Sequence, residues 1–327
     1  MSLEEFLTEW RNESPYVRVQ TSGSTGAPKQ MLVEKRRMQV SARRTCDFLG
    51  LKPGDTALLC MSMDYIAGKM MAVRAIERNL ELICVEPSGH PLAKTQSVDF
   101  AAMVPMQVYN SLQVAEERER LRQIRQLIIG GGAVDEAMAA ELKDFPNGVW
   151  STYGMTETLS HIALRRLSGG ESSDWYTPFP SVKVSLSDEG CLVIDAPEVC
   201  QERLVTNDIV ELGDGGRFRI LGRKDNVICS GGLKIQSEEV ERLLRPHLKE
   251  PYLVTKRRDA RLGEAMVLLT EGPVSEARQV CERILIKYHH PRAYIHVDHI
   301  PLTETGKPAR RQAELIALDA QESEGLR

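Results

Sequence analysis

Residues 21–29 of this 327-residue chain carry hydroxyls, glycines and a lysine in an order that suits a phosphate group. Glycines let backbone N–H groups approach an anion, hydroxyls donate hydrogen bonds, and a lysine adds a mobile positive charge. The candidate phosphate contacts are Thr21, Ser22, Gly23, Ser24, Thr25, Gly26 and Lys29. The spacing differs from that of P-loop NTPases, because no glycine directly precedes the lysine and no Ser or Thr follows it. An exposed linker is the alternative, since such clusters are commonly loops.

Two further groups each follow an apolar strand. In residues 151–158, Thr156 and Glu157 offer the hard oxygen atoms that Mg²⁺ prefers beside a phosphate, although a turn with a solvated glutamate has the same pattern. Residues 130–132 are three glycines, and they lie where the carboxyl end of a parallel sheet would place a ligand. An ordinary strand-to-helix turn is equally compatible with that glycine run.

Three charged residues nearer the C-terminus could also contact a nucleotide. Asp208 can accept both hydrogens of a ribose diol, and Arg223 can donate in a fixed fork to a hydroxyl or a phosphate. A surface ion pair is the alternative for these two. Lys307 follows a glycine in a tight turn, but most lysines are solvated, so residue type alone says little about its role.

Strands and helices alternate along the part of the chain that would position these groups. Apolar strands are predicted at 16–20, 56–61, 80–85, 100–104, 126–129 and 148–152, and helices at 38–49 and 67–78. This alternation predicts a largely parallel sheet covered on both sides. Shorter strands are predicted at 162–165, 182–186, 191–194 and 218–221. Residues 226–327 have an α+β pattern with helices at 237–244 and 275–288, which predicts a compact domain of typical size.

The composition excludes several classes of protein. An apolar fraction of 42% with 27% charged residues is typical of a soluble globular protein and argues against disorder. A net charge of −4 and a pI of about 6.1 argue against a nucleic-acid partner. The chain lacks a long apolar run and a signal-peptide pattern, so we expect no membrane insertion and a cytoplasmic location. The scattered cysteines predict free thiols in a reducing compartment.

Five motifs along the chain resemble, in the same order, those of the adenylate-forming superfamily, which includes acyl-CoA synthetases. They lie at residues 21–29, 130–133, 151–158, 206–225 and 301–308. The resemblance implies an α/β fold in which a large N-terminal domain of layered sheets and helices carries the substrate and ATP sites. A small, mobile α+β domain would follow it and carry the catalytic lysine. The implied boundaries are 1–222, a hinge at 223–225, and 226–327. Family members usually carry a much longer segment before the phosphate loop, so we expect part of the usual core to be missing or rebuilt.

The resemblance also assigns catalytic roles. It implies that Tyr153 lies against adenine, that Thr156 contacts the α-phosphate and that Glu157 binds Mg²⁺. It identifies Lys307 as the catalytic lysine, which binds the substrate carboxylate and the α-phosphate during adenylation. The ATP site implied by the family includes, besides residues 21–29, Gly131, Gly132, Ala133, Ser151, Thr152, Tyr153, Gly154, Met155, Asp208 and Arg223.

The resemblance also implies residues for the second step of the reaction, in which the acyl group passes to CoA. Asp225 falls at the family's hinge position, and Gly231, Gly232 and Lys234 resemble the loop that lines the pantetheine tunnel for CoA. A β-hairpin turn is the alternative for this loop. One departure concerns the ribose motif: where the family usually has T-G-D, this chain has Asn207 before the aspartate, which weakens the expectation of a turn.

Residues 63–74 resemble the region that forms the acid pocket in this family. Tyr65 occupies the position of the usual aromatic or histidine gate, and Arg74 lies on an otherwise apolar predicted helix. In o-succinylbenzoate–CoA ligases of menaquinone biosynthesis, a cationic residue at the matching position holds the benzoate carboxylate. Such a pair would contribute about 1.5–3 kcal/mol, whereas a surface arginine is the alternative. Gly131, Ser160 and His161 are the other candidate contacts with the acid.

The sequence therefore predicts an AMP-forming carboxylic acid–CoA ligase that uses ATP, Mg²⁺ and CoA, with o-succinylbenzoate as the expected acid. Two alternatives stay open: an adenylating enzyme for another acid with CoA or a carrier-protein thiol as acceptor, and a nucleotide-binding relic without turnover. The expected partners are small molecules, without nucleic acid. The oligomeric state stays open, with a homodimer as one alternative. Four histidines near the C-terminus show no convincing metal-ligand spacing.

Overall fold

The computed structural model describes residues 1–20, 30–95, 97–303 and 307–325. The helices are α1 (Leu3–Arg11), α2 (Lys35–Phe48), α3 (Ile66–Arg78), α4 (Pro105–Gln113), α5 (Ala115–Gln123), α6 (Glu136–Lys143), α7 (Ser237–Leu244), α8 (Val274–Ile284) and α9 (Arg310–Gly325). The strands of the first half are β1 (Tyr16–Gln20), β2 (Gln30–Glu34), β3 (Thr56–Leu59), β4 (Glu81–Cys84), β5 (Phe100–Met103), β6 (Gln126–Ile129), β7 (Gly148–Gly154) and β8 (His161–Arg166). They are followed by β9 (Thr177–Pro178), β10 (Lys183–Leu186), β11 (Cys191–Asp195), β12 (Leu204–Leu212), β13 (Phe218–Arg223), β14 (Val227–Ser230), β15 (Leu233–Gln236), β16 (Tyr252–Asp259), β17 (Gly263–Thr270) and β18 (Ala293–His296).

The chain divides into two compact units. The first consists of Met1–Ser185, Val193–Leu204 and Leu212–Arg219, and the second of Leu186–Leu192, Val205–Glu211 and Ile220–Arg327. This division does not locate a pivot, so the hinge at 223–225 and the boundaries around it stay predictions.

A seven-stranded sheet forms the centre of the first unit, in the order β4-β3-β5-β6-β7-β8-β9. Neighbouring strands from β4 through β3, β5 and β6 to β7 are parallel. Strands β8 and β9 complete the sheet in antiparallel pairs. All four residues of β5 are buried, as are three of the four in β6, which is typical of central parallel strands covered on both faces. The predicted, largely parallel sheet is confirmed.

Local sequence signals set the ends of the helices that cover this sheet. Ser2 and Glu5 form a reciprocal capping box at the start of α1. Helix α3 is capped at its C-terminus by Asn79, which adopts the left-handed conformation that asparagine tolerates. Strands β1 and β2 form a separate antiparallel pair in which Gln20 lies opposite Gln30.

The second unit contains a mixed sheet in the order β15-β14-β17-β16, with β18 pairing in parallel to β17. Helices α7 and α8 contribute Val240, Leu244 and Ala277 to a buried cluster on this sheet. Ala313 and Ala317 of α9 belong to a second buried cluster with Leu253 of β16. The predicted α+β pattern of the C-terminal region therefore has a core of its own.

Several element boundaries differ from the predictions. Helix α2 begins at Lys35 and not at Met38, because the chain turns directly out of β2 and the Lys35 N–H donates to Pro15 O at 2.8 Å. Helix α8 ends at Ile284 and not at Tyr288, since Leu285 takes an extended conformation.

Strands β12 and β17 were not predicted, and strands β10 to β13 form a sheet in that order. Strand β12 has three consecutive polar residues, 206–208, in its middle, and its burial alternates only weakly, so its sequence lacks the usual strand pattern. Among the described helices, none combines the length and the apolar character that a membrane span requires.

Candidate functional site

The parallel sheet brings two of the predicted motifs to one edge. Strands β6 and β7 are neighbours, with Ile129 opposite Ser151, so the residues after each strand emerge side by side. A Cβ atom on Gly130 would lie 2.5 Å from Thr152 Oγ1, which shows how closely the glycine run approaches the second motif. Residues 130–133 and 152–157 therefore meet at the carboxyl edge, where ligands bind in such sheets.

A tight turn after β7 positions Ser160 and His161. A Cβ atom on Gly154 would lie 2.3 Å from Ser160 O and 2.5 Å from His161 Cα, so only glycine allows this approach. Leu159 has φ +65° and ψ −38°, and the Ser160 N–H donates to Thr158 O at 2.7 Å. This is a γ-turn with a positive φ, which is strained for a residue with a side chain. Such strain is common where the backbone must aim a functional side chain.

The Arg74 guanidinium is buried in the first unit, with 2% of the residue exposed. Its Nη2 donates to Ser160 Oγ at 2.6 Å, Nη1 lies 3.7 Å from Met71 Sδ, and Nε has no hydrogen-bond partner. Within the described ranges, Arg74 makes no ion pair. Burial lowers the pKa of Arg74 to about 10, so the group stays charged at neutral pH. The predicted inward-facing arginine therefore exists, and it lacks an acidic partner in the described part of the chain.

His161 is also buried and lies beside Arg74. Its Nδ1 is 3.3 Å from Ser160 Oγ, and its Nε2 is 3.1 Å from Thr45 Oγ1. Burial, and then the positive charge of Arg74, hold the pKa of His161 well below its usual range, so the ring is neutral. The structure thus brings Arg74 and Thr45 to the adjacent pair Ser160 and His161. Of these four residues, Thr45 was not among the predicted site residues.

Two buried residues of this region were not predicted, because neither has a functional signal in the sequence. Thr45 lies inside α2, a helix rich in charged residues, where a single threonine does not stand out. Lys69 lies in α3, and its Nζ donates to Arg18 O of β1 at 2.6 Å. Since β1 leads directly into residues 21–29, this bond ties α3 to the strand before the predicted phosphate loop. Residues 21–29 themselves lie outside the described residues, so those predicted contacts stay predictions.

Several side chains that were predicted to contact the ligand pack against other residues of the protein. Tyr153 is buried, with its ring centroid 5.0 Å from that of Phe218 and 5.9 Å from that of Tyr176. Ser151 Oγ lies 2.8 Å from the hydroxyl of Tyr176, so this serine forms a hydrogen bond in the core. Tyr65, the predicted gate of the acid pocket, is half-buried and directly precedes the first residue of α3. The ligand contacts of Ser151, Tyr153 and Tyr65 stay predictions.

Glu157 lies in a 3₁₀ turn at Thr156–Thr158 and is exposed. Among the residues that the structure describes, no group of three His, Cys, Asp or Glu side chains could hold a metal ion. A metal here would therefore depend on the Glu157 carboxylate together with oxygens of a ligand. This donor set fits Mg²⁺, which is commonly bound by one or two carboxylates and substrate phosphates.

Three predicted residues form an ion-pair cluster in the second unit. Arg223 donates to Asp208 Oδ1 at 3.2 Å and to Asp225 Oδ2 at 3.1 Å, and Asn207 Nδ2 donates to Asp225. The ion pair that the sequence left as an alternative is therefore present, and the ribose contact stays a prediction. Asn207 and Asp208 lie within β12 and not in a turn, which corrects the expected turn. Since Asn207 does not have a positive φ, no glycine is needed there.

Lys307 lies beside this cluster in the second unit. Its N–H donates to Thr303 Oγ1 at 3.1 Å, and the Thr303 N–H donates to Lys307 O at 2.7 Å. Residues 304–306 lie outside the described residues, so the predicted tight turn stays a prediction. Burial, and then the charge of Arg223, lower the pKa of Lys307. Repulsion from Arg223 and partial burial both favour an anionic partner for this ammonium, although its catalytic role stays a prediction.

The predicted CoA loop is a β-hairpin between β14 and β15. Gly231 and Gly232 form its turn, with φ of +58° and +85°, and Ser230 lies opposite Leu233. A two-residue turn with two positive φ values requires glycine-like residues, so the hairpin alternative is correct as a description of the backbone. Lys234 is exposed on β15. The hairpin presents two glycines and a lysine, and contact with CoA stays a prediction.

The model of the AMP-binding enzyme family matches residues 5–201 of this chain. A 2-succinylbenzoate–CoA ligase of Bacillus cytotoxicus is 26% identical over 90% of this chain and 68% of its own. The solved structure of an AMP-forming acyl-CoA synthetase/AMP-acid ligase II-like protein of Dyadobacter fermentans is 33% identical, with a TM-score of 0.65, over 94% of this chain and 91% of its own. An o-succinylbenzoate coenzyme A synthetase of Bacillus subtilis, solved with ATP and magnesium, shares the fold with a TM-score of 0.73 at 22% identity, over 90% and 69%.

These similarities confirm the superfamily and the fold predicted from the motifs. The family model covers more than half of the chain, and the Dyadobacter protein exceeds 30% identity over most of both chains. The matched region contains α3 with Arg74, the glycine run and the turn that carries Glu157 and Ser160. This chain therefore belongs to the AMP-binding enzyme family.

Proposed function

We propose that this protein joins o-succinylbenzoate to CoA with cleavage of ATP to AMP and pyrophosphate, a reaction of menaquinone biosynthesis. The predicted enzyme class, an AMP-forming acid–thiol ligase, is confirmed by the family match and by the names of the relatives. In the first step, a carboxylate oxygen of the acid attacks the α-phosphorus of ATP and pyrophosphate leaves. In the second step, the CoA thiolate attacks the acyl carbon and AMP leaves.

The buried Arg74 guanidinium is the observation that supports this acid. A buried charge without a partner is costly, so it is usually paired or serves function. o-Succinylbenzoate has two carboxylates, and only the succinyl carboxylate is activated. The benzoate carboxylate stays intact and is free to pair with Arg74, whose Nε has no hydrogen-bond partner. Such a charge-assisted pair selects a diacid over a monoacid.

The remaining site residues act on the nucleotide and on the reacting groups. Lys307 would offset negative charge at the α-phosphate in the first step, because a fixed positive charge stabilises a transition state that gains negative charge. Thr156 would donate to the α-phosphate, and Glu157 would hold Mg²⁺, which neutralises phosphate charge when bound. Gly231 and Gly232 would line the path of the CoA thiol in the second step. A turn of the C-terminal domain about Asp225 would exchange Lys307 for this hairpin.

The test is ATP–pyrophosphate exchange with o-succinylbenzoate and with 4-oxo-4-phenylbutanoate, which lacks only the benzoate carboxylate. We expect kcat/KM to favour the diacid by about 10- to 100-fold, as one charge-assisted pair would give. Thioester formation with CoA completes the assay. A preference for a different acid would overturn the substrate, and no exchange with any acid would favour the nucleotide-binding relic.

A second candidate is an adenylating enzyme that loads its acid onto a carrier-protein thiol. Thioester formation with CoA and with a phosphopantetheinylated carrier, measured side by side, separates the two acceptors. A cytoplasmic location and a homodimer remain parts of the proposal, and size-exclusion chromatography with light scattering tests the dimer.

A further inference from the structure

A chain of hydrogen bonds leads from the backbone of α2 to Arg74. The Thr45 hydroxyl donates to Ser41 O at 3.2 Å, and Thr45 Oγ1 lies 3.1 Å from His161 Nε2. On the other side of the ring, His161 Nδ1 lies 3.3 Å from Ser160 Oγ, which accepts from Arg74 Nη2 at 2.6 Å. Ser41, Thr45, Arg74 and His161 are buried, so these groups depend on one another and not on solvent.

The two ends of this chain determine the direction of every bond in it. Ser41 O can only accept, so the single hydrogen of the Thr45 hydroxyl points to it and Thr45 Oγ1 must accept from His161 Nε2–H. A neutral imidazole carries one ring proton, so Nδ1 is bare and accepts from the Ser160 hydroxyl. The hydrogen of Ser160 is thereby directed away from Arg74, and a lone pair of Ser160 Oγ faces the guanidinium. A guanidinium can only donate, which agrees with this direction.

We infer that Thr45 and His161 are positioning residues of the acid site, which hold the Ser160 hydroxyl so that it accepts from Arg74 and fixes the guanidinium. This role rests on the proposed function in one respect, since the fixed guanidinium is the group that would bind the second carboxylate of the acid. Neither Thr45 nor His161 needs to touch the substrate. The strained turn at Leu159 and the close approach at Gly154 hold the backbone of residues 160 and 161, and Thr45 then selects the histidine tautomer.

A ring that carries its proton on Nδ1 would change the bonding at Ser160. The Ser160 hydroxyl would then accept from the ring, and its own hydrogen would no longer be held in a direction away from Arg74. The groups that face His161 in the described residues are the hydroxyls of Thr45 and Ser160, the ring of Phe179 and the charge of Arg74. None of these carries a negative charge that would stabilise a protonated imidazole, and the charge of Arg74 opposes it.

The first measurement is the tautomer of His161 in the intact protein by ¹⁵N NMR, with the resonance assigned by its absence in His161→Gln. The expected result is a neutral ring with the proton on Nε2. A proton on Nδ1 in the wild-type protein would overturn the inference, and this result needs no variant of Thr45.

The second measurement compares Thr45→Val with Thr95→Val in the exchange assay. Both changes remove a buried hydroxyl that donates to the carbonyl four residues earlier. Thr95 takes no part in the series of hydrogen bonds that ends at Arg74. For Thr45→Val we expect the KM for o-succinylbenzoate to rise about five- to tenfold, as the loss of one hydrogen bond would give, with the KM for ATP unchanged. The monoacid 4-oxo-4-phenylbutanoate should be used equally well by both variants, and Thr45→Ser should restore the wild-type KM.

The outcomes separate the inference from the proposed function. If wild-type protein is inactive with o-succinylbenzoate, the proposed function fails and the acid-positioning role fails with it, while the tautomer result stands by itself. If wild-type protein is active and Thr45→Val matches Thr95→Val in its KM for the acid, the positioning role alone is overturned.

Discussion

In the proposed function, Arg74 combines a cost to folding with a gain in recognition of the acid. A guanidinium that is buried without a carboxylate loses hydration, and the bonds to Ser160 and Met71 return only part of that loss. A carboxylate of the substrate would supply the missing partner, because charge-assisted bonds of this kind are stronger than neutral ones. Stability and substrate binding therefore favour different side chains at position 74.

We predict that Arg74→Met raises the free energy of unfolding by about 1–3 kcal/mol, as the replacement of buried charges by apolar groups can do. The same change should abolish the preference for o-succinylbenzoate over its monoacid analogue. Urea unfolding followed by fluorescence measures the first effect, and pyrophosphate exchange measures the second.

Arg78→Met is the matched control for this substitution. Arg78 lies one turn later on α3, where it is more exposed and forms an ion pair with Asp47. It should change neither the acid preference nor, by more than about 1 kcal/mol, the stability. A clear loss of stability in Arg74→Met would contradict the interpretation of Arg74 as an unpaired buried charge.

Strand β7 and the turn that follows it are the elements that hold the predicted acid-site residues Ser160 and His161 in register with the sheet. Gly154 ends the strand with its Cα against the backbone of Ser160 and His161. The atoms that a Cβ would meet are backbone atoms, so a side chain there cannot be accommodated by a rotamer change. The turn would have to move as a unit, together with both hydrogen-bonding side chains.

We predict that Gly154→Ala weakens use of the acid at least tenfold and lowers the free energy of unfolding by about 1–3 kcal/mol, as overpacking does. Gly170→Ala is its control, since a Cβ at Gly170 would meet no atom within 4 Å and its φ is not positive. Exchange kinetics and urea unfolding of both variants test this. Equal behaviour of the two alanine variants would show that the turn adapts at little cost.

At the scale of the whole molecule, the predicted chemical groups are divided between the two compact units. Arg74, Glu157 and Ser160 belong to the first unit, whereas Lys307 and the Gly231–Gly232 turn belong to the second. Each unit has its own buried apolar clusters, so each can keep its internal geometry through a reaction in two steps. This division suits a reaction whose two steps need different groups.

We predict that Lys307→Ala slows pyrophosphate exchange at least 100-fold, since the loss of one preorganised transition-state charge typically has this effect. Formation of the thioester from synthetic acyl-adenylate and CoA should change by less than about threefold, because the second step does not use this ammonium. Single-turnover assays of the two half-reactions make the comparison. Lys234→Ala should have the opposite effect, because Lys234 is predicted to serve the second step: pyrophosphate exchange should be retained and formation of the thioester should slow. Equal loss of both half-reactions in Lys307→Ala would contradict the assignment.

The sequence by itself determined the family, the parallel sheet and the identity of most candidate residues, because glycine runs, hydroxyl pairs and buried apolar strands leave direct signals in residue type and spacing. It also indicated that Arg74 faces inward, since its neighbours on the helix are apolar. The predicted start of α2 was wrong, because a tertiary hydrogen bond of Lys35 and not a local pattern sets it. Strand β12 was missed, because the polar run in its middle hides the strand pattern.

Only the tertiary structure placed Thr45, Arg74, Ser160 and His161 in one hydrogen-bonded chain. Thr45 and Arg74 lie on different helices, Ser160 lies between β7 and β8, and His161 is the first residue of β8. More than 80 residues separate Arg74 from Ser160. No local pattern records which side chains meet across such a separation, because the meeting depends on how helices pack on the sheet. The inferred direction of the bonds, and with it the inferred tautomer of His161, rests on that packing and not on any residue alone.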